Sequence, residues 1–268
     1  MQVHRLSVVA ILGLLVGCSA HVRPAAPQPP PPALPVQQFT GINAPSVTLV
    51  PDPVTAALLA EKAGANGITV HLREDRRHIQ ERDVELMRQQ LRTKLNLEMA
   101  VTPAMVAFAE KLRPDDACFV PEKREELTTE GGLDVVAHKQ RILEAVKRLQ
   151  DRGIHVSLFI DPENNQIETS RQVGAHGIEI HTGTYCNAAE TEREKERDIV
   201  TTAAALAHRL GLEVHAGHGL DYDNVTRIAA IPEIVELNIG HSIIARAVIA
   251  GIEQAVREMK ELLAKARE

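Results

Sequence analysis

Residues 67–73 read Gly-Ile-Thr-Val-His-Leu-Arg, and this short run indicates how the chain folds. Its apolar residues alternate with Thr69, His71 and Arg73, which is the two-residue period of a β-strand. Similar strands recur along the chain and are separated by longer runs of helical period. Strands that alternate with helices form a parallel sheet, and eight such units close into a barrel. The sequence therefore predicts an α/β fold of the (β/α)8 TIM barrel type.

Eight strands are predicted between residues 39 and 239. They are Phe39–Asn43, Gly67–Leu72, Asn96–Ala100, Ala117–Val120, His155–Ile160, Gly177–His181, Glu213–Ala216 and Val235–Ile239. The helical patterns between them include Pro53–Ala63, Glu81–Leu95, Val135–Leu149 and Glu190–Leu210, and a last helix is predicted from about Ile243 to the end. A doubly wound open sheet is the alternative, but no Gly-x-Gly-x-x-Gly sequence follows the first strand to support it.

The polar side of these strands has to face the barrel lumen, because the apolar side meets the helices. Buried polar groups cost free energy unless they are paired or used. We expect the deeper ones, such as Glu179, Glu213 and Glu236, to form a structural network of ion pairs in the lumen. Side chains at the carboxyl ends of the strands are the functional candidates, since barrel active sites lie there.

Composition restricts the classes of function. The 268 residues carry a formal net charge of −6, and aromatic residues make up only 2%. Such a chain is not a general nucleic-acid binder, because it lacks both a basic excess and stacking side chains. No compact His/Cys spacing of the structural zinc type is present, so we predict no metal site. The spacing of Cys118 and Cys186 does not show whether they pair.

The first 36 residues are interpreted as a targeting signal followed by a linker. Leu6–Val16 is an apolar run that follows Arg5 and is too short to span a bilayer. It leads into Leu15-Val16-Gly17-Cys18, which resembles a bacterial lipobox. That resemblance implies a lipoprotein signal peptide over residues 1–18, acylation of Cys18, and anchoring at the outer membrane, facing the periplasm. The alternative is a cytoplasmic enzyme whose start codon is misassigned.

A proline-rich stretch follows the predicted signal peptide. Residues 19–36 contain seven prolines, which favour an extended polyproline conformation and cannot pack a core. We interpret this stretch as a linker between the anchor and the domain, which leaves residues 37–268 for the barrel.

Residues suited to proton transfer and anion binding lie where the second and third strands end. A histidine such as His71 suits proton transfer, and Arg73 can bind a phosphate or carboxylate through two hydrogen bonds. Glu98 lies on the third strand, where burial would raise its pKa enough for it to act as a base. These residue types predict acid–base chemistry on an anionic substrate.

Two Gly-His pairs follow the seventh and eighth strands. They lie in Ala216-Gly217-His218-Gly219-Leu220 and in Asn238-Ile239-Gly240-His241-Ser242. Glycine lets backbone N–H groups approach an anion closely, and a helix that begins there adds a favourable dipole. The loops after strands seven and eight are the usual phosphate site of this fold. The sequence therefore predicts a phosphate site at these two loops.

Six segments together resemble the pyridoxine 5′-phosphate synthase family. They are residues 67–78 (GITVHLREDRRH), 96–100 (NLEMA), 120–124 (VPEKR), 128–134 (TTEGGLD), 216–220 (AGHGL) and 237–241 (LNIGH). The resemblance begins at about Gly41. It implies a barrel enzyme that condenses 1-deoxy-D-xylulose 5-phosphate with 3-amino-2-oxopropyl phosphate to form pyridoxine 5′-phosphate. It also implies no redox or metal cofactor and a symmetric homo-oligomer, typically an octamer.

The resemblance also implies a role for individual residues. His71 and Glu98 match the general bases of the family, and His218 matches its proton donor. The implied contacts to the deoxyxylulose phosphate are Arg73, His78 and Thr128, and those to the aminoketone phosphate are Asn43, Gly219, Gly240 and His241.

The sequence departs from the family after the first strand. The family has Asn-Ile-Asp-His and then a loop with an arginine, whereas this chain has Asn43-Ala44-Pro45-Ser46 and a shorter loop without arginine. His215 also stands where the family usually has Asn. Two interpretations stay open: an active synthase, or an exported, catalytically altered relative that binds a phosphorylated or vitamin-B6-like ligand. A scaffold lipoprotein without chemistry is disfavoured because His71, Glu98 and His218 are all retained.

Overall fold

A closed barrel of eight parallel strands forms the centre of the molecule. The structure is a computed structural model that describes residues 7–12, 52–123, 126, 128 and 131–268. The strands follow one another around the barrel in sequence order, and the last pairs with the first. The predicted (β/α)8 barrel is therefore confirmed. The alternative open sheet is wrong because its two edges are joined by hydrogen bonds.

The strands are short and their bounds agree closely with the sequence pattern. They are β1 (Ser7–Leu12), β2 (Gly67–His71), β3 (Lys94–Met99), β4 (Asp116–Phe119), β5 (His155–Ile160), β6 (Gly177–His181), β7 (Glu213–Gly217) and β8 (Ile234–Ile239). From β2 onward, every predicted strand is present to within two residues at each end.

Helices follow the strands and pack outside the barrel. They are α1 (Pro53–Lys62), α2 (Glu81–Gln90), α3 (Pro103–Leu112), α4 (Lys139–Gln150), α5 (Asn164–Gln172), α6 (Gly183–Asn187), α7 (Glu190–Arg209), α8 (Val225–Ala229), α9 (His241–Ala250) and α10 (Ile252–Lys265). None of the helices among the described residues is long and apolar enough to cross a membrane.

The first strand comes from an unexpected part of the chain. Ser7–Leu12 lies in the segment that the sequence analysis interprets as a signal peptide, yet here it pairs with both β2 and β8. A short run of Val, Ile and Leu suits either use, because β-branched and apolar residues fill barrel strands and signal peptides alike. The predicted first strand Phe39–Asn43, the lipobox Cys18 and the linker 19–36 lie outside the described residues.

Two predicted helix bounds need correction. The helix predicted over Glu81–Leu95 ends at Gln90, and Leu95 belongs to β3, because the strand pattern begins four residues before Glu98. The C-terminal helix is two helices, and Gly251 joins them with φ at +80°. Glycine adopts that backbone conformation without the steric cost that other residues incur, so the turn falls there.

Local sequence explains where the helices begin. The Asp52 carboxylate accepts hydrogen bonds from the N–H groups of Val54 and Thr55 at 3.3 and 3.1 Å, and Pro53 occupies the first helical position of α1. Thr102 caps α3 in the same way, with its hydroxyl 3.4 Å from the N–H of Met105. Side-chain caps and a first-turn proline are the common signature of a helix start.

The core between the sheet and the helices is aliphatic, as the low aromatic content predicts. The lumen is polar at the middle of the strands. There Asn96 donates to the Thr69 hydroxyl at 3.2 Å, and that hydroxyl donates to the Asn238 side-chain oxygen at 3.1 Å. The Asn238 amide donates to Glu179 at 2.6 Å. This chain of hydrogen bonds divides the lumen into a carboxyl end and an amino end.

Candidate active site

The carboxyl ends of β2 and β3 bring two of the candidate residues together. His71 and Glu98 are paired in the register of these strands, so their side chains point to the same face. The His71 Nδ1 atom lies 3.9 Å from Glu98 Oε2, and both side chains are largely buried. Burial raises the pKa of the Glu98 carboxyl, while the nearby imidazole opposes this rise. A carboxyl group with a raised pKa beside an imidazole is an arrangement suited to proton transfer.

Glu122 completes this pair, and sequence reasoning gave it no role of its own. It follows β4 and accepts a hydrogen bond from His71 Nε2 at 3.1 Å and another from the N–H of Glu74 at 2.9 Å. Burial raises the pKa of the Glu122 carboxyl, but these hydrogen bonds outweigh it and lower the pKa overall. An ionised Glu122 that binds Nε2–H leaves Nδ1 of His71 unprotonated and facing Glu98, as a base requires.

Glu179 is a further buried carboxyl group below this site. It lies in the lumen on β6, where burial and the proximity of Glu98 raise its pKa to about 8. A Cβ atom at Gly217 would collide with its Oε1 atom, so a glycine is required there. The sequence pattern placed Glu179 in a structural ion-pair network, but it instead binds Asn238 in the middle of the lumen.

The predicted phosphate site lies where β7 and β8 end. His218 and Gly219 both have left-handed backbones, with φ at 75° and 83°. Gly240 caps α9, which begins at His241, so the first N–H groups of that helix point out of the carboxyl end of the barrel. Free N–H groups at a helix start attract anions. The backbone of these loops thus has the form that the Gly-His pairs predict.

The remaining candidates lie around the rim of the site. Arg73 is held by Asp75, with Nε and Nη2 each 3.2 Å from one of its carboxylate oxygens. His78 is half-buried in the same connection between β2 and α2. Thr128 donates to the Asp161 carboxylate, on the opposite side of the mouth. Asn43 lies outside the described residues.

The amino end of the lumen confirms the expected ion pairs for Glu213 and Glu236. His215 Nε2 lies 2.9 Å from Glu213 Oε1, and its Nδ1 lies 3.6 Å from Glu236 Oε1. Burial lowers the pKa of His215, but the carboxylates of Glu236 and Glu213 outweigh this effect and raise it to about 9. The His215 hydrogen bond lowers the pKa of Glu213 to about 2. These residues line a cavity of about 580 Å³.

Cys118 and Cys186 are both free, so they do not form a disulfide with each other. Cys118 is buried in the lumen beside Glu179, and burial raises the pKa of its thiol far above the usual range. Within the described ranges, no group of three or more His, Cys, Asp or Glu residues could hold a metal ion.

Comparison with known proteins places the chain in one family, and two similar relatives carry the same name. Residues 43–265 match the family described as pyridoxal phosphate biosynthesis protein PdxJ. The pyridoxine 5′-phosphate synthase of Syntrophotalea carbinolica is 60% identical over 214 residues, which cover 80% of this chain and 90% of the relative. That of Parasynechococcus marenigrum is 58% identical over 220 residues, which cover 82% and 88%. The barrel also resembles phosphoribosylanthranilate isomerase from Thermotoga maritima, with a TM-score of 0.54 at 10% identity, covering 79% of this chain and 94% of that one.

Proposed function

Because the chain belongs to the PdxJ family of pyridoxal phosphate biosynthesis proteins, we propose that it is a pyridoxine 5′-phosphate synthase. The reaction would condense 1-deoxy-D-xylulose 5-phosphate with 3-amino-2-oxopropyl phosphate in vitamin B6 biosynthesis. The observation that carries this proposal is the pairing of His71 with Glu98 at the carboxyl ends of β2 and β3, opposite His218 and the phosphate-type loops.

The arrangement supports a separate role for each part of the site. His71 is oriented by Glu122 and removes a proton through Nδ1. Glu98, whose pKa is raised by burial, accepts or returns a proton beside His71. His218 has a lowered pKa, mainly because it is buried, and a lowered pKa makes its protonated form a stronger acid. An acid and a base on opposite sides of the barrel mouth suit a condensation that needs several proton transfers.

Substrate binding is assigned to the rim of the site. Gly219, Gly240 and His241 would bind one phosphate through backbone N–H groups and the start of α9. Arg73, His78 and Thr128 would bind the deoxyxylulose phosphate. Arg73 is already paired with Asp75, so the substrate phosphate has to compete with that carboxylate or share the guanidinium with it.

The residues after Asn43 decide how fast the reaction runs. The family's Asp-His pair and loop arginine are absent from Ala44–Val50. A charge-assisted contact to phosphate contributes about 1.5–3 kcal/mol, so its loss reduces turnover about tenfold or more. An exported relative with altered chemistry, which binds a phosphorylated or vitamin-B6-like ligand, is the second candidate, and this altered loop is the observation that favours it.

The test compares the purified full chain with a variant that carries the longer family loop in place of Ala44–Val50. We expect slow formation of pyridoxine 5′-phosphate from both substrates, and an increase of about tenfold or more on grafting. A graft of equal length whose Asp, His and Arg are alanine is the control, and it should not restore turnover. Rapid turnover by the unmodified chain would show that the loop has not changed its activity. No product from either the chain or the graft, with phosphate still bound, would favour the second candidate.

We also propose a location, which rests on the lipobox alone. The chain would be exported, cleaved before Cys18, acylated there, and anchored at the outer membrane. Cleavage would remove Ser7–Leu12, and another segment would then have to pair with β2 and β8. Phe39–Asn43 is the segment that the sequence predicts for that position. If the start codon is misassigned, the protein is cytoplasmic instead.

Labelling with radioactive palmitate in a bacterial host that exports and acylates lipoproteins tests this proposal. The wild-type chain should incorporate label and lose residues 1–17, whereas Cys18→Ser should remain unlabelled and uncut. A cytosolic wild-type protein that retains residues 1–17 would refute export and would leave Ser7–Leu12 available to the barrel.

The family resemblance further supports a homo-oligomer, typically an octamer. Val248 and Ile249 on α9 are 75% and 81% exposed, and large apolar side chains in such positions are typical of surfaces that contact another protein. Light scattering on the purified chain should give a multiple of the monomer mass. A monomer at micromolar concentration would refute this assignment.

A further inference from the structure

A second carboxylate–imidazole pair lies across the mouth of the barrel from His71. Asp161 directly follows β5 and His181 ends β6. The Asp161 Oδ1 atom lies 3.0 Å from His181 Nδ1, and the two side chains are 0% and 9% exposed. Neither residue has a role in the proposed reaction so far. Burying a charged pair of this kind costs free energy unless further hydrogen bonds compensate its charges.

Asp161 is an ionised centre of several hydrogen bonds. Its carboxylate accepts from His181, from the Thr128 hydroxyl and from the N–H of Gly132, the last at 3.2 Å. Burial raises the pKa of Asp161, but the hydrogen bonds from His181 and Thr128 outweigh it and lower the pKa overall. A carboxylate that accepts from Nδ1–H holds the imidazole of His181 in one tautomer, with Nε2 on its far side.

The far side of His181 faces His218. The two rings are 4.9 Å apart between centroids and meet edge to face, with Phe159 against both rings. Gly183 makes this approach possible. A Cβ atom there would lie 2.6 Å from His181 Nε2 and 3.4 Å from His218 Cδ2. The ring that Asp161 holds is thus one wall of the pocket that holds the ring of His218.

His218 is under backbone strain and is held from several directions. Its φ of 75° is uncommon for a residue with a side chain, and such outliers cluster at functional sites. The Thr182 hydroxyl lies 2.7 Å from its carbonyl oxygen, and the Cys186 thiol lies 3.6 Å from the same atom. Burial lowers the pKa of His218, and the neighbouring imidazoles of His181 and His241 lower it further.

We propose that Asp161 and His181 are positioning residues, which fix the ring of His218 for proton transfer and tie it to the substrate contact Thr128. The inference rests on the proposed function only in taking His218 as the proton donor. Asp161 then links two halves of the site. One of its oxygens accepts from the Thr128 hydroxyl, and the other accepts from the imidazole that faces His218.

Substitution of His181 by asparagine separates positioning from simple packing. The asparagine amide can still donate to Asp161, so the carboxylate stays satisfied, while the ring edge against His218 is removed. We expect kcat to fall about tenfold or more, with KM for both substrates little changed. Asp161→Asn should lower kcat and also raise KM for the sugar phosphate, because it frees both His181 and Thr128.

The decisive measurement is an NMR titration of the His218 ring in the substrate-free full chain. Removing His181 removes a neighbour that opposes protonation, so in His181→Asn the pKa of His218 should rise by about half a unit or more. His155→Asn, at the exposed amino end of β5, is the control and should leave that titration unchanged. This readout does not depend on turnover, so it decides the proposal even if the chain makes no pyridoxine 5′-phosphate.

The proposal is overturned if His181→Asn folds normally and His218 titrates as in the wild type. If His181→Asn does not fold, His181→Gln and His181→Leu provide the same titration, because each of them also removes the imidazole. An unchanged His218 titration in those variants would reduce the pair to a structural support.

Discussion

At the amino end of the lumen, His215 lies between Glu213 and Glu236, whereas at the carboxyl end His71 lies between Glu122 and Glu98. The two clusters contain the same types of group, yet their charges differ. His215 has a pKa of about 9 and remains a cation that neutralises its carboxylates. At the carboxyl end, burial raises the pKa of Glu98, and the His71 imidazole opposes that rise only in part.

The difference shows what distinguishes a structural cluster from a reactive one in this barrel. At the amino end each charge meets an opposite charge, and the loops are short. At the carboxyl end burial raises the pKa of Glu98 although an imidazole lies beside it, and the backbone across the mouth is strained at His218. In barrels of this type, residues at the carboxyl face generally carry the chemistry, whereas residues at the amino face generally contribute to stability.

Removing the groups at the carboxyl end should produce the largest effect on activity. His71→Ala, Glu98→Gln and His218→Ala should each lower kcat by about 100-fold or more, which is the usual range for a general acid or base. Glu98→Gln should not lower the free energy of unfolding at pH 7. Because the Glu98 carboxyl has a raised pKa in the folded state, it destabilises the folded protein once the pH exceeds the pKa of this group in the unfolded state. The neutral glutamine amide removes that destabilisation. Steady-state kinetics and urea unfolding on the same preparations test both statements, and near-wild-type turnover in any variant would exclude that residue from its role.

The strand alternation made this pairing predictable, and it did not reveal everything around it. The two-residue period predicts that His71 and Glu98 both face the lumen, and the parallel pairing of β2 with β3 then places them side by side. Glu122 and Asp161 follow β4 and β5 in connecting segments. Their positions depend on tertiary hydrogen bonds that no local period encodes, such as that between Glu122 and the N–H of Glu74.

The first strand shows a different limit of sequence interpretation. The pattern of Ser7–Leu12 fits a signal peptide, and its use as β1 depends on an open position between β2 and β8 that only the folded barrel defines. The end of α2 was likewise misplaced, because Leu95 satisfies both the helical and the strand period. Local patterns therefore predicted the architecture well and predicted the competition between segments poorly.

The amino end offers the converse substitution, which should change stability and leave kcat within about twofold. His215→Asn removes the cation between two carboxylates. The folded pKa of His215 is raised to about 9, so its contribution is full below its unfolded pKa of about 6.5 and is lost as pH rises through 9. The wild type should therefore exceed the variant by about 2–3 kcal/mol near pH 6, and the difference should shrink by pH 10. Urea unfolding across this range measures it, and a large loss of kcat would mean that the amino end takes part in catalysis.

The smallest effect is expected for Glu213→Gln, which changes one charge in the same cluster. Its side chain is about half exposed, so solvent screens the pair, and the glutamine oxygen can still accept from His215 Nε2. The pKa of Glu213 is lowered to about 2, so its charge stabilises the fold above its unfolded pKa, and this contribution is lost as pH falls toward 2. At pH 6 the variant should lose less than about 1 kcal/mol, with kcat unchanged. NMR titration of His215 should show a lower pKa than in the wild type, because one of its two closest anions is gone. A loss of several kcal/mol in the free energy of unfolding would instead mean that Glu213 alone stabilises the charged His215 and that Glu236 contributes nothing.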